Sequence, residues 1–171
     1  MPQKNKNDKG FRPTSSFLIQ VLNNLLDFND KCVLDLFAGS GRVGKLALSN
    51  NAKTVFFVES NFKLISEIKK ALSENSQCII LCMDAFKFLS RKEYSKFSPA
   101  DIIFADPPFE KESGDEILAA IDNSFWKASY TLFILQQFHK TRIPNHSNWE
   151  IIEKRRYGEQ NLLFFRPKEF K

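Results

Sequence analysis

The stretch DLFAGSGRVG, Asp35 to Gly44, holds glycines at positions 39, 41 and 44 in the order Gly-x-Gly-x-x-Gly. It follows the short apolar run KCVLDLF and leads into VGKLALSN, a plausible helix start, so a strand, a tight turn and a helix are expected in that order. Glycines let the chain turn sharply there and let a ligand approach the backbone. Working outward, KTVFFVES repeats the strand signal and NFKLISEIKKALSEN places Phe62, Ile65, Ile68 and Leu72 on one helical face. CIILCM reads as a third strand with the short helix DAFKFLS after it, and ADIIFADPPF as a fourth strand that its proline pair must stop. A helix around GDEILAAIDNSFW leads to the strand YTLFILQQF, and WEIIEKRR and NLLFFRP are two last strands joined by a turn around Gly158. Ahead of all this, RPTSSFLIQVLNNLLDF reads as a helix that Thr14, Ser15 or Ser16 can cap, with Phe17, Leu18, Val21, Leu22, Leu25 and Leu26 at helical spacing over a core.

Strands alternating with helices predict a single α/β domain of Rossmann-like type. Its sheet is expected to be mostly parallel and seven-stranded, with a C-terminal antiparallel hairpin. Residues 13–171 are assigned to this domain, and residues 1–12, which carry Lys4, Lys6, Lys9 and Arg12 against Asp8, to a flexible basic segment. A length of 171 residues suits one domain. No run of about 18 apolar residues is present and the opening MPQKNKNDKG lacks the apolar core of a secretory signal, so a cytoplasmic protein without membrane contact is expected. Cys32, Cys78 and Cys82 lie in or beside apolar runs with no metal-ligand spacing to His139 or His146, which predicts buried, reduced thiols and no metal. The net charge of +5 is compatible with a polyanionic partner without requiring one.

Sheets of this kind bind ligands beyond the carboxyl ends of their strands, where the strand order reverses. Asp35, Glu59, Asp84 and Asp106 all fall at or near the ends of the first four strands. The glycine turn with Glu59 at the end of the second strand would also suit a nicotinamide dinucleotide, so the turn alone leaves that cofactor open. Two features favour another. A carboxylate at Asp35 would repel a pyrophosphate but attract the sulfonium and ammonium of S-adenosyl-L-methionine. The Asp-Pro-Pro-Phe at 106–109, moreover, is not something hydride transfer requires.

With these motifs the chain resembles class I S-adenosylmethionine-dependent methyltransferases, and within them the RsmD-type family of 16S rRNA guanine-N2 methyltransferases. RPT before the first helix, LDLFAGSGRVGKLALS, the acid of VE at 58 and 59, FADPPF, and the closing W…YG between strands match that family in order and spacing from about Phe11 to Arg166. The resemblance implies S-adenosyl-L-methionine as cofactor and 16S rRNA or the small ribosomal subunit as partner, and a monomer is the default expectation. It implies that Asp35, Gly39 and Gly41 line the methionine end, that Glu59 holds the ribose hydroxyls and that Asp84 with Ala85 meets the adenine. Phe37, Ser60 and Asp106 join the cofactor-binding set, and Arg12, Thr14, Pro108 and Phe109 are candidate substrate contacts. Two departures stand out. MPQKNKNDKGF replaces the Arg-Ile-Ile-Gly-Gly-like strand pair common ahead of RPT, and its lysines are expected to grip RNA electrostatically instead. LFILQQF also carries Gln136 and Gln137 where the family leads one to expect an acid.

The chemistry explains why Asp106, Pro107 and Phe109 are the catalytic candidates. The lone pair of a guanine exocyclic amine is delocalised into the ring. The Asp106 carboxylate and the Pro107 carbonyl can accept its two N–H bonds and pull the nitrogen towards tetrahedral geometry. Phe109 offers a flat face for an extruded base, worth on the order of 1–3 kcal/mol. Methylation of an adenine N6 or of a glutamine amide uses related motifs and stays open, as do a non-catalytic RNA-binding module and an NAD-dependent oxidoreductase.

Overall fold

The computed structural model describes residues 16–108 and 113–169. Helix α1 (Ser16–Leu25) precedes β1 (Cys32–Leu36), α2 (Arg42–Ser49), β2 (Thr54–Glu59), α3 (Phe62–Ala71), β3 (Cys78–Cys82) and α4 (Ala85–Leu89). A 3-10 turn (Lys92–Tyr94) leads to β4 (Ile102–Ala105), α5 (Gly114–Asp122), β5 (Leu132–Phe138), β6 (Trp149–Tyr157) and β7 (Gln160–Pro167). All seven strands join one sheet in the order β3-β2-β1-β4-β5-β7-β6. The first five strands run parallel, while β7 lies antiparallel to both β5 and β6. The chain leaves β1 on one side for β2 and β3 and returns on the other for β4, which puts the reversal of strand order between β1 and β4.

Two apolar layers sandwich the sheet. Leu34, Leu36, Phe56, Ile103, Ala105 and Leu135 face a layer built from α4, α5 and Trp126. Val33, Phe57, Phe104, Ile134 and Leu162 face the other, built from α1, α2 and α3 through Leu22, Val43 and Ile68. Strands covered on both faces read as continuous apolar runs rather than alternating ones, and β1 is buried at all five positions. The hairpin between β6 and β7 closes on Gly158 and Glu159, and Gly158 has φ +59, the sign its first turn position requires.

Three expectations are corrected. Phe62 is 72% exposed because it opens α3 before the helix reaches the sheet, leaving Ile65 and Ile68 as the buried pair. Phe17 is 57% exposed, meeting the Tyr157 ring edge-on, while Leu18 and Leu22 carry the core face of α1. The thiols are free, but only Cys32 is buried; Cys78 is half-buried and Cys82 exposed, since β3 is an edge strand with helix cover on fewer sides.

Candidate active site

Strand register builds the site. Leu36 pairs with Val58 across β1 and β2, and with Ala105 across β1 and β4, while Ala105 pairs with Leu135 across β4 and β5. One residue further along each strand therefore stands a single row: Glu59, Phe37, Asp106 and Gln136. Glu59 follows Val58 directly and Gln136 follows Leu135 within β5, so the row lies at the carboxyl rim over the reversal point. Asp35 sits two residues below Phe37 on β1, beside Phe104 of β4.

The turn between β1 and α2 is shaped by residues in the left-handed region: Phe37 (φ 58), Gly39 (φ 56) and Gly41 (φ 71). A bulky residue such as Phe37 holds that conformation only under constraint, and such strain collects at ligand sites. The constraint is visible: Ala38 N–H donates to Val58 O at 2.9 Å and Gly39 N–H donates to Glu59 Oε2 at 2.9 Å. The other oxygen of Glu59 accepts from Asn61 N–H at 2.8 Å and from the Ser60 hydroxyl at 3.4 Å. Glu59 thus ties the glycine turn to the start of α3, and a carboxylate with about four lone-pair sites retains capacity for further donors. Gly44 has a different reason. A Cβ there would lie 2.2 Å from Phe57 Cε1, so only glycine lets α2 pack onto β2.

Asp35 turns inward. It is 2% exposed, and its Oδ2 accepts from Gly44 N–H at 2.8 Å, filling a donor in the first turn of α2 that has no side-chain cap of its own. Burial pushes its carboxyl up to about 8; the Gly44 hydrogen bond opposes this, the Asp106 and Glu59 charges add to it, and Lys45 lowers it. Asp35, Glu59 and Asp106 therefore converge in space from three different strand ends. Asp84 caps α4, its Oδ1 accepting from Lys87 N–H at 2.9 Å, and Ala85 begins that helix in a buried position. Pro107 is buried and Pro108 exposed, beyond the half-buried Asp106. Phe109, Arg12 and Thr14, like the basic segment 1–12, lie outside the described residues.

These residues fit S-adenosyl-L-methionine better than a dinucleotide. The acidic rim of Glu59 and Asp106 suits a cationic methionine end, and the buried Asp35 carboxyl beneath it, raised to about 8, would take on charge only beside a cation. Among the described residues no group of three His, Cys, Asp or Glu is arranged to hold a metal ion, and no helix is long and apolar enough to cross a membrane.

Residues to which the sequence assigned no role in the site also reach this rim. Gln136, 5% exposed, occupies the row beside Asp106. Because β6 runs in the direction of β5, Lys154, Arg155, Arg156 and Tyr157 end at the same rim, near His139, Lys140 and Arg142 that follow β5. Arg142 pairs with Asp115 and Arg155 with Glu153, while Lys154 and Arg156 are exposed.

Known proteins share this architecture. The chain is 26% identical over 159 residues to Ribosomal RNA small subunit methyltransferase D of Haemophilus influenzae, covering 89% of this chain and 81% of that protein. The Escherichia coli protein of the same name is 27% identical over 155 residues, covering 88% and 76%. The solved structure of the Escherichia coli protein yhhF superposes with a TM-score of 0.82 at 23% identity over 93% of this chain and 90% of that one. An RNA methyltransferase from Salinibacter ruber, solved with S-adenosyl-L-homocysteine, superposes with a TM-score of 0.70 at 13% identity over 94% and 97%. The fold is that of a class I methyltransferase. With the model of the family described as Conserved hypothetical protein 95 matching residues 3–166, nearly its whole length, this chain belongs to that family.

Proposed function

We propose that this protein is an S-adenosyl-L-methionine-dependent rRNA methyltransferase that modifies the N2 amino group of a guanine in 16S rRNA, in the assembling small ribosomal subunit. The observation that carries this reading is the convergence at the reversal point of Glu59 and Asp106 on one row with Asp35 beneath them. The names of the relatives support an rRNA substrate. So does the basic end of β6, since exposed cations at the rim suit phosphates flanking a base presented there.

Asp35, Phe37, Gly39 and Gly41 hold the methionine end of the cofactor, Glu59 and Ser60 its ribose, and Asp84 with Ala85 its adenine. Bound there, S-adenosyl-L-methionine supplies a methyl carbon activated by its sulfonium. Asp106 and the Pro107 carbonyl accept the two N–H bonds of guanine N2, which concentrates the lone pair on nitrogen and aims it across the rim. The Asp106 carboxylate takes the proton that the nitrogen sheds, the methyl group being one that the bound cofactor would supply with its sulfur keeping the bonding pair. Phe109 stacks on the extruded base, Pro108 flanks it, and Arg12 and Thr14 add substrate contacts. The displacement calls for no metal, and the enzyme works as a cytoplasmic monomer.

Asp106→Ala tests the mechanism. The variant is expected to lose transfer to 30S particles by at least 10²-fold, in line with the loss of one positioned proton acceptor, while its dissociation constant for S-adenosyl-L-methionine stays within about threefold. Normal turnover by Asp106→Ala would refute the assigned role.

A further inference from the structure

Gln136 is a buried amide in a place where the fold has no use for one. It lies inside β5, one residue past Leu135 and two past Ile134 of the two apolar cores, and is 5% exposed. Its Oε1 is fully buried and, among the described residues, has no hydrogen-bond partner. Its neighbour Gln137 differs: pointing to the opposite face, it donates through Nε2 to Thr141 O at 3.2 Å and to Arg142 O at 3.3 Å, and so holds the chain after β5. A buried polar atom without a partner costs folding free energy, and such atoms are rare unless a ligand or water completes them.

The register says what Gln136 faces. Ala105 pairs with Leu135, so the next residues, Asp106 just beyond β4 and Gln136 inside β5, are neighbours across adjacent strands. Side chains alternate along a strand, and Gln136 shares the face of Ile134 as Asp106 shares that of Phe104. The amide therefore lies next to the group that receives the acceptor nitrogen, on the side away from the glycine turn.

From this we infer that Gln136 is a specificity-determining residue that reads the Watson–Crick edge of the acceptor base, Oε1 accepting guanine N1–H and the side-chain NH2 donating to O6. The inference rests on the proposed N2 chemistry. With N2 held by Asp106 and Pro107, N1–H is the next group along the edge and O6 the one beyond it, and one amide matches that donor–acceptor pair. Adenine held by N6 would offer the same amide a single acceptor at N1, with only a C–H beyond it. The arrangement thus favours guanine by one hydrogen bond and leaves no polar atom of Gln136 unpaired in the complex.

The test uses Gln136→Met, which keeps the length and shape of the side chain and removes both polar ends. Substrates are 30S particles from a strain lacking this methyltransferase and, once the position is mapped, particles reconstituted with 2-aminopurine at the target. That base keeps the N2 amine but lacks N1–H and O6. Gln136→Met is expected to lower kcat/KM on guanine about 10- to 100-fold, the range for losing a bidentate base contact. Cofactor affinity is expected to stay within twofold, and Tm to be unchanged or up to a few degrees higher, because an unpartnered buried amide has been replaced by an apolar group. The wild type is expected to prefer guanine to 2-aminopurine by tenfold or more, and Gln136→Met to treat the two alike. Normal turnover by Gln136→Met, or undiminished base preference in it, overturns the assignment, as does a fall in Tm that accounts for the lost activity. A wild type that leaves no N2-methylguanosine in the particle refutes the underlying reading instead, and this assignment with it.

Discussion

Asp35→Asn is expected to stabilise the protein, increasingly so as the pH rises from 5 to 8. The Asp35 carboxyl is 2% exposed, and burial raises it from an ordinary 3.8 to about 8. A group raised in the folded state binds its proton more tightly there than in the unfolded chain. Its contribution is fully present below pH 3.8 and is lost as the pH climbs through about 8. At about 1.4 kcal/mol per pH unit, the four-unit shift sets an upper limit of about 6 kcal/mol, of which about 4 kcal/mol falls between pH 5 and 8. An asparagine does not titrate, and its Oδ1 can still accept from Gly44 N–H, so the variant keeps the contact and escapes the loss. For a domain of this size each kcal/mol moves Tm by about 2–4 °C, which puts the widening of the gap at roughly 10 °C. Scanning calorimetry of both proteins across this pH range measures it, the difference between them cancelling every other titrating group. The same variant is expected to bind S-adenosyl-L-methionine about tenfold more weakly, since it removes a carboxyl from beneath the methionine end. A gap in Tm that stays constant from pH 5 to 8 would mean that Asp35 is ionised throughout and would refute the reasoning.

Other perturbations separate the parts of the site. Glu59→Ala is expected to raise the cofactor dissociation constant about 10- to 100-fold by calorimetry, because it removes the proposed ribose acceptor and releases the Gly39 and Asn61 amides together. Gly44→Ala drives a Cβ to 2.2 Å from the fully buried Phe57 ring and is expected to destabilise by about 1–3 kcal/mol in chemical denaturation, with Phe57→Leu recovering part of the loss. Replacing the exposed Lys154 and Arg156 together by glutamine is expected to weaken rRNA binding and to flatten its log–log salt dependence by about 1–2, while cofactor affinity holds.

Much of the architecture was legible because its signals are local. Short apolar runs ending in Glu59, or in the proline pair after Asp106, mark strands whose ends must lie at one rim, and a single glycine turn marks where the chain first leaves it. What was not legible depends on direction. Asp35 at a strand end looks available to a ligand, yet the alternation of β1 sends it under α2 to Gly44, and a strand buried at every position has no solvent face to reveal which side is which. Phe62 and Phe17 carry the same apolar signal as their buried neighbours, and only the placement of helix ends against the sheet exposes them. Asp115 accepts from Asn145 N–H at 2.8 Å and pairs with Arg142, contacts that span some thirty residues and leave no local signal. Gln136 and Gln137 looked like one departure from a family pattern. Consecutive residues of a strand face opposite ways, so one holds a loop and the other borders Asp106.

The central claim, methyl transfer to a guanine N2 in 16S rRNA, is tested most directly by nucleoside identity. Purified protein, labelled S-adenosyl-L-methionine and 30S particles from a strain lacking this methyltransferase are incubated beside naked 16S rRNA, DNA and protein fractions, and the labelled product is resolved by chromatography and mass spectrometry. The account predicts N2-methylguanosine from 16S rRNA, at a single position, in the particle. Label recovered as N6-methyladenosine, in DNA, in protein, or in no fraction at all would contradict it.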